Sequence, residues 1–433
     1  MPITWISSTE NNYYRTQTPT SAGAAAVADL ALDGTTDQTW DGWGGCFNEL
    51  GWEALAKLST ADRSQVLDAF FAPATDGLRL TIGRMPIGAN DYSVSWYSHD
   101  EVEGDFELKH FSLERDEKRL IPYLREGLAR QPKLTLFASP WSPPSWMKFP
   151  QAYNHGTVVW TKQNLDAYAD YFLKFVHGYR ERGIEIAQVH VQNEPYNDAK
   201  FPSCCWTGET MRDFIRDHMG PTFAKASERC EVWYGTINYE FFDVTANAVL
   251  SDPGAYAVTK GVGYQWAGKG AVQRTHQAFP EKRIWQTENE CGDGTNTWTY
   301  ARYVFDLIQH YIANGTSAYV YWNLVLEPKG RSTWGWTQNA MVTVDPDTKK
   351  AIYNPEFWVF KHCARWIQPG AVRLGVKGHW SGNAIAFRNP DGSVAIVAIN
   401  NLTTAQRRTV TVNGTSHVLD CPAGSLHTLV ISA

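Results

Sequence analysis

Short runs rich in β-branched and aromatic residues alternate with amphipathic runs between residues 40 and 367. Such alternation indicates parallel strands joined by right-handed helical crossovers. The predicted strands are 41–47, 78–83, 133–138, 186–191, 231–236, 259–264, 283–287 and 317–322. About eight such units predict an α/β fold, a closed (β/α)8 TIM barrel. An open doubly wound sheet is the alternative, but no GxGxxG motif follows a strand to mark its dinucleotide site.

Two of the runs between the strands have the spacing of long amphipathic helices. Apolar residues recur at steps of three and four, which places them on one helix face. They are Leu165, Tyr168, Phe172, Phe175 and Tyr179 in the first run, and Trp298, Ala301, Phe305, Ile308 and Ile312 in the second. The second pattern stops before Gly315, a residue favoured just beyond a helix C-terminus. Both helices are predicted to bury one face.

The two ends of the chain have a different pattern. Runs 384–388, 394–400, 408–413 and 426–431 are separated by turn signals such as Asn413-Gly414. Short strands at about ten-residue spacing predict an antiparallel sandwich. The N-terminal pieces 3–6 and 13–17 also have a strand pattern, and we expect them to join the same sandwich because two strands alone are not stable. The predicted domains are a barrel over 38–367 and a β-sandwich built from both termini, 1–37 and 368–433.

Composition and charge exclude several classes of function. The 433 residues carry a formal net charge of −6, without a cluster of Lys and Arg, so no nucleic-acid partner is expected. No apolar run is long enough to predict a membrane span. No CxxC or HExxH spacing occurs, so neither a metal nor another cofactor is expected. The first residues do not form a signal peptide, so a cytoplasmic protein, or a secreted one after removal of a leader, is expected.

The candidate chemistry lies at the ends of two predicted strands. In a barrel, functional side chains lie at the C-terminal ends of the strands. The strand at 186–191 runs into Asn193 and Glu194, and the strand at 283–287 runs into Glu288. Two such carboxylates suit glycoside hydrolysis, in which one acid protonates the leaving oxygen and the other attacks the anomeric carbon or activates water. The 19 tryptophans of the chain agree with a sugar site, because indole rings offer flat apolar faces.

The second carboxylate has a competitor two residues later. Side chains alternate along a strand, so Glu288 and Glu290 point to the same side and either could face the pocket.

Asn193, directly before Glu194, is suited to contact the 2-hydroxyl of a sugar, a contact that strengthens in the transition state.

Six segments carry a resemblance to a known family. They are 41–49 (DGWGGCFNE), 78–93 (LRLTIGRMPIGANDYS), 138–148 (ASPWSPPSWMK), 189–195 (VHVQNEP), 284–292 (IWQTENECG) and 319–330 (YVYWNLVLEPKG). In this order they resemble glycoside hydrolase family 30, whose members are retaining (β/α)8 enzymes with an attached β-domain. The glucosylceramidase and β-1,6-glucanase branches look most similar.

The resemblance implies a role for each candidate residue. Glu194 matches the general acid/base after strand four. Glu288 matches the nucleophile after strand seven, and we prefer it to Glu290 because it directly ends the strand, as in the family. The residues implied to hold the sugar in the −1 subsite, or to lie beside the nucleophile, are Asp91, Trp141, Asn193, Tyr264 and Trp322, with Trp266 near Tyr264.

Three hypotheses for the function follow. The first is a retaining β-glycosidase that uses two glutamates on β-linked glucose, in a β-1,6-glucan, a β-glucoside or a glucosylceramide-type lipid. The second is the same chemistry on β-xylosides or related sugars. The third is a catalytically inactive carbohydrate-binding protein, which is disfavoured because both strand-end glutamates are present. The expected partner is in each case a carbohydrate.

Overall fold

The computed structural model describes residues 3–21 and 27–433. Within these residues, eight parallel strands close into a barrel. The strands are β1 (Gly42–Cys46), β2 (Ile82–Ile87), β3 (Thr135–Pro140), β4 (Ile186–His190), β5 (Glu231–Ile237), β6 (Thr259–Gln265), β7 (Arg283–Glu288) and β8 (Ala318–Asn323). Pairing of β8 with β1 closes the barrel. The predicted closed barrel is therefore confirmed, and the open-sheet alternative is wrong.

The second barrel strand begins later than its sequence pattern predicts. Residues 78–81 precede β2, and Leu78 and Leu80 are buried in the core between the strands and the helices. The backbone N–H groups of these two leucines donate to carbonyls of the preceding helix rather than to a neighbouring strand. The apolar side chains of these two leucines therefore pack against the helices and are not part of the sheet. As a result Arg84, expected just beyond the strand, lies within it.

The barrel interior is filled below its mouth by large side chains. Ile82, Phe137, Trp233, Trp285 and Val320 form one buried cluster there with Ala318. Room for these rings comes in part from glycine, since a Cβ on Gly261 would lie 2.5 Å from the Trp233 ring. Glu231 and Arg283 contact Trp233 at the N-terminal end of this plug, and the polar side chains at the C-terminal strand ends lie on its other side.

Helices surround the barrel in the order expected for repeated βα units. They span Glu49–Ala56, Thr60–Phe71, Leu120–Arg130, Lys162–Glu181, Gly208–Phe214, Gly220–Lys225, Ala246–Leu250, Pro253–Val258, Val272–Ala278, Trp298–Ala313 and Pro355–Ala364. The hydroxyls of Thr161 and Thr297 cap the two longest ones. All ten apolar residues of the two predicted helical faces are buried, which confirms both amphipathic helices.

Both ends of the chain form a second sheet beside the barrel. Its order is Asn12–Gln17, Ile3–Thr9, Ser425–Ile431, Val394–Asn400, Ala384–Arg388, Val372–Lys377, Leu30–Thr39, Gln406–Val412, Thr415–Cys421 and Thr20–Ser21. Side chains from both arms, including Trp5, Leu30, Ile396 and Val410, pack into one core, which makes the sheet a sandwich. The attached sandwich from both termini is therefore confirmed. The strands Leu30–Thr39, Val372–Lys377 and Thr415–Cys421 were not predicted.

The sandwich strand Val394–Asn400 also packs against the barrel domain. Ile396 belongs to the sandwich core, whereas the adjacent Ala395 and Val397 belong to the large core shared with the barrel helices. Both faces of this strand are buried, which explains its nearly continuous apolar sequence. In the part of the chain that is described, no helix is long and apolar enough to cross a membrane.

Candidate active site

Three carboxyl groups lie at the C-terminal ends of barrel strands, those of Asp91 and Glu288 buried and that of Glu194 half-buried. Glu288 ends β7, Glu194 follows β4, and Asp91 follows β2. The backbone of Glu194 has a φ of +47°, a left-handed conformation that is costly for a residue with a Cβ and recurs at active sites. Its N–H donates to the carbonyl of Thr236, at 3.0 Å, which ties this turn to β5.

Arg84 connects the strand ends from inside the barrel. It lies two residues after Ile82 on β2, so it points inward, above the apolar plug. Its Nη1 lies 2.6 Å from Oε2 of Glu288, and its Nη2 lies 2.6 Å from Oδ1 of Asn193. The arginine is fully buried, and a buried cation of this kind requires a carboxylate partner.

Glu288 has a partner for each of its carboxylate oxygens. Arg84 contacts Oε2, and the indole N–H of Trp266 donates to Oε1 at 2.9 Å. Burial raises the pKa of Glu288, whereas the Arg84 charge and the two hydrogen bonds lower it. We conclude that Glu288 is the first of the two glutamates to ionise, because charge-assisted hydrogen bonds stabilise the ionised form specifically.

Glu194 has a different environment. Its Oε2 accepts a hydrogen bond from Nδ2 of Asn197, at 2.9 Å, and among the described residues it forms no ion pair. Burial, followed by the negative charge of Glu288, raises the pKa of Glu194 to about 7. The two carboxyl groups thus have environments that separate their protonation, as an acid and a nucleophile require.

Asp91 completes the acidic group. Burial and the charges of Glu288 and Glu194 raise its pKa well above the ordinary range. Its Oδ1 is buried without a hydrogen-bond partner in the described residues. The segment that carries it is held by the indole N–H of Trp334, which donates to the Asp91 carbonyl at 2.7 Å. An unpartnered carboxyl oxygen in the pocket is suited to accept a hydrogen bond from a ligand hydroxyl.

Asn193 is oriented with its amide nitrogen free. Its Oδ1 accepts hydrogen bonds from Arg84, from Nε2 of Gln265 at 3.2 Å and from Oγ1 of Thr236 at 3.1 Å. Three donors on one oxygen fix which end of the side chain is the carbonyl. The NH2 group is therefore left to donate to a ligand, which is the geometry expected for contact with a sugar hydroxyl.

Two tryptophans form the aromatic wall of the mouth. Trp141 and Trp322 stack with their ring centroids 5.5 Å apart, and the Arg84 guanidinium lies 4.6 Å from the Trp141 ring centroid. Each tryptophan is only 1% exposed. They belong to a cluster at the barrel mouth that also contains Tyr92, separate from the core under the helices. Nε1 of Trp322 donates to Gln338 at 2.8 Å, which fixes its ring plane.

Tyr264 does not lie in the pocket, contrary to the expectation from the sequence. Its ring is buried among the strands and helices, and its hydroxyl lies 2.7 Å from Oγ1 of Thr275 on an outer helix. The reason is alternation along β6, which turns Tyr264 outward and the next residue, Gln265, inward. Gln265 contacts Asn193, and Trp266 contacts Glu288, so these two take the place assigned to Tyr264.

Glu290 is turned away from the other carboxyl groups. It forms an ion pair with Lys269 at 2.6 Å and accepts a hydrogen bond from the Tyr303 hydroxyl at 2.7 Å. The pairing of β6 with β7 contains a bulge, in which Tyr264 is opposite Gln286 but Gln265 is opposite Glu288. Bulges re-aim side chains. The strand ends at Glu288, so the alternation that made the two glutamates equivalent does not extend to Glu290.

The structure adds residues that the sequence analysis did not select. Arg84 and Gln265 each touch a candidate residue directly. A signal for Arg84 existed, since an arginine within a barrel strand must meet an acid. No comparable local signal marks Gln265. Within the described residues, no group of three His, Cys, Asp or Glu side chains is arranged to hold a metal ion.

Comparisons with known proteins match both domains of the chain to one enzyme family. The family models for the glycosyl hydrolase family 30 TIM-barrel domain and beta sandwich domain match residues 40–367 and 370–429. The lysosomal acid glucosylceramidase of Mus musculus is 26% identical over 390 residues, 83% of this chain and 74% of the mouse protein. An endo-1,6-beta-D-glucanase of Neurospora crassa is 26% identical over 405 residues, 88% of this chain and 82% of that protein.

Solved structures extend the comparison over the whole chain. The endo-beta1,6-glucanase BT3312 superposes with a TM-score of 0.88 at 25% identity, covering 100% of both chains. SrfJ from Salmonella typhimurium superposes with a TM-score of 0.91 at 23% identity, also over 100% of both chains, and supports the fold. Taken with the barrel, the sandwich and the paired strand-end glutamates, these matches show that the chain is a glycoside hydrolase that belongs to glycosyl hydrolase family 30.

Proposed function

We propose that this protein is a retaining β-glycosidase that cleaves β-linked glucosyl residues by double displacement. The observation that carries the proposal is the difference between the surroundings of two glutamate carboxyl groups, those of Glu288 and Glu194. Glu288 is held by Arg84 and Trp266, which favour its ionised form. Glu194 is half-buried near this charge, and desolvation together with the charge raises its pKa to about 7. One group is thereby prepared to attack and the other to donate a proton.

In the first step, a carboxylate oxygen of Glu288 attacks the anomeric carbon, and the bond from that carbon to the leaving oxygen breaks. Glu194 transfers its proton to the leaving oxygen, so the aglycone departs as a neutral alcohol. The product is an α-linked glycosyl ester of Glu288. Arg84 loses its charged partner in this step and retains Asn193, which keeps the guanidinium in position.

In the second step, water attacks the anomeric carbon of the ester. Esterified Glu288 is neutral, so the charge that raised the pKa of Glu194 is gone, and ionised Glu194 accepts a proton from the water. Glu288 leaves as a carboxylate beside Arg84. Two inversions return the β configuration.

The side chains around the pair suit the sugar in the −1 subsite. Asn193 offers a free NH2 group, and Asp91 offers a free carboxyl oxygen. The stacked pair Trp141 and Trp322 provides an apolar wall for the C–H groups of the ring. In this arrangement the carboxyl group of Asp91 and the amide NH2 group of Asn193 bind hydroxyls, while the two glutamates act on the glycosidic bond.

For the sugar and its linkage we propose β-linked glucose, in a β-1,6-glucan, a simple β-glucoside or a glucosylceramide-type lipid. The proposal rests on the similarity to proteins named glucosylceramidase and endo-1,6-beta-D-glucanase. The test is the release of product from 4-nitrophenyl β-glucoside, 4-nitrophenyl β-xyloside, pustulan and glucosylceramide, with the first product anomer followed by NMR.

We expect hydrolysis of at least one glucoside, with the β-anomer appearing first. Preference for the xyloside would overturn the choice of sugar but keep the mechanism. An α-anomer as first product would overturn the double displacement. Binding of the glucan without release from any of the four substrates would identify an inactive carbohydrate-binding protein.

A further inference from the structure

A second cavity lies at the opposite end of the barrel from the glutamates. Its volume is 620 Å³, and it is bordered by residues at or just before the starts of β1, β2 and β3 and by the segment 364–369 after the last barrel helix. Residues at this N-terminal end of a barrel ordinarily contribute to stability rather than to catalysis. The cavity shares no residue with the active site described above.

Three cationic side chains line this basal cavity, namely Arg79, Lys133 and Arg365. Arg365 pairs with Asp76, with Nε 3.3 Å from Oδ1. Among the residues that the structure describes, Arg79 and Lys133 form neither an ion pair nor a side-chain hydrogen bond. The acidic side chain in the lining is Asp41, whose Oδ2 is already bound by Trp285 and Ser317, both at 2.7 Å. Asp76 compensates the charge of Arg365, whereas Arg79 and Lys133 keep no ion-pair partner among the described residues.

Two polar atoms of the lining also lack partners. Nε of Arg79 and Oγ1 of Thr81 are buried without a hydrogen bond in the described part of the chain. Arg79 moreover has a φ of +60°, the left-handed region that an arginine adopts only at a cost. Burial and the neighbouring Arg365 lower the pKa of Arg79, and the charge of Asp76 opposes this shift in part. Arg79 therefore combines a left-handed backbone conformation with an unsatisfied donor at the wall of the cavity.

The remaining walls indicate the size and character of a ligand. Trp43, Pro73, Pro132 and Ile367 provide apolar surface, and Gln131 and Gln368 provide amides. Apolar surface can pack against the ring of a ligand, and amides can bind its hydroxyl groups. A guanidinium can bind an anionic group on the same ligand. We propose that the basal cavity binds a sugar-sized anion that carries a phosphate or a carboxylate, with Arg79 and Lys133 as the groups that neutralise it.

The test measures anion binding to the full chain at constant ionic strength. The probes are inorganic phosphate, glucose 6-phosphate and glucuronate, with glucose as the uncharged control, followed by calorimetry. The variants are Arg79→Gln, which retains a side chain of similar length at the strained position, and Lys133→Gln, which changes an exposed side chain. Arg407→Gln is the matched control, because Arg407 is an exposed arginine of the sandwich.

We expect saturable binding of glucose 6-phosphate or glucuronate with one site per chain. Arg79→Gln should weaken it at least about tenfold, and Lys133→Gln about threefold or more, with no change in Arg407→Gln. Hydrolysis of 4-nitrophenyl β-glucoside by the variants should stay within about twofold of the parent and reports correct folding. If Arg79→Gln fails to fold, Lys133→Gln decides alone.

Three outcomes would overturn the proposal. One is the absence of saturable binding of all three anions. A second is binding that is unchanged in Lys133→Gln and in a folded Arg79→Gln, which would place the anion elsewhere on the protein. Binding of inorganic phosphate with rejection of both sugar anions would also overturn it, because the apolar walls and amides would then have no role.

Discussion

Arg84 and Glu288 form a buried ion pair at the centre of the barrel mouth, with Nη1 2.6 Å from Oε2. The other terminal nitrogen of Arg84 binds Asn193, the residue directly before Glu194. A single guanidinium therefore positions the ends of both β4 and β7. It contacts the carboxylate of Glu288 directly but not that of Glu194, which gives the two carboxyl groups different electrostatic surroundings.

Replacement of Glu288 and replacement of Glu194 should affect the activity in different ways. Glu288→Ala lacks the nucleophile and should be nearly inactive on every substrate. Glu194→Ala should still be glycosylated by dinitrophenyl β-glucoside, whose leaving group needs no proton, and should then stall. Added azide should restore turnover and give a β-glycosyl azide, whereas azide with Glu288→Ala should give the α-product. Product anomers by NMR are the measurement, and the opposite pair of anomers would exchange our two assignments.

Glu290 should be dispensable. Glu290→Gln removes the ion pair with Lys269, which is partly exposed and contributes less than about 1 kcal/mol. The value of kcat/KM on 4-nitrophenyl β-glucoside should stay within about threefold of the parent, whereas Glu288→Gln should lower it by roughly three orders of magnitude or more. A loss of that size in Glu290→Gln, with activity retained in Glu288→Gln, would make Glu290 the nucleophile.

Removal of the Arg84 charge should shift the acidic limb of the pH profile. Without the guanidinium, the pKa of Glu288 rises further above its ordinary range, so a higher pH is needed to ionise the nucleophile. In Arg84→Met the acidic limb of kcat/KM should move upward by about one pH unit or more. A lower activity at all pH values with an unmoved limb would show that Arg84 acts by position alone.

The raised pKa of Glu194 also predicts how stability depends on pH. A carboxyl whose pKa is higher in the folded than in the unfolded state stabilises the fold at low pH, and this contribution is lost as the pH rises through the folded value, here about 7. Glu194→Gln should therefore raise Tm relative to the parent at pH 8, by about 1–3 °C, and leave it nearly unchanged at pH 4.

Thermal unfolding at the two pH values is the measurement for this prediction. Glu240→Gln serves as a control because Glu240 is exposed. A Tm difference between Glu194→Gln and the parent that is the same at pH 4 and pH 8 would contradict a protonation effect.

The aromatic wall should affect binding of the sugar and, because it is buried, stability as well. Trp322→Phe keeps a ring against Trp141 but removes the hydrogen bond to Gln338. We expect KM for 4-nitrophenyl β-glucoside to rise about threefold to tenfold, with a small decrease in Tm. Trp160→Phe, at an exposed position, is the control. Unchanged kinetics with a large decrease in Tm would make Trp322 a structural residue.

The barrel and the acid pair could be predicted from the sequence because their signals are local. Short apolar segments of the sequence predict the alternation of strands and helices. Glu194 and Glu288 lie where two of the predicted strands end. The buried faces of the two long helices could also be predicted, because apolar residues at every third or fourth position lie on one side of a helix.

Only the tertiary structure decided which way individual side chains point. The inward turn of Gln265 and the outward turn of Tyr264 depend on the register of β6. The separation of Glu288 from Glu290 depends on the end of β7 at Glu288 and on the contacts of Glu290 with Lys269 and Tyr303. Arg84 joins three distant strands, so no local pattern contains its contacts. A one-residue change of register reverses the side to which a strand residue points, and register is set by neighbouring strands far away in the sequence, which is why the chemistry of the pocket required the folded chain.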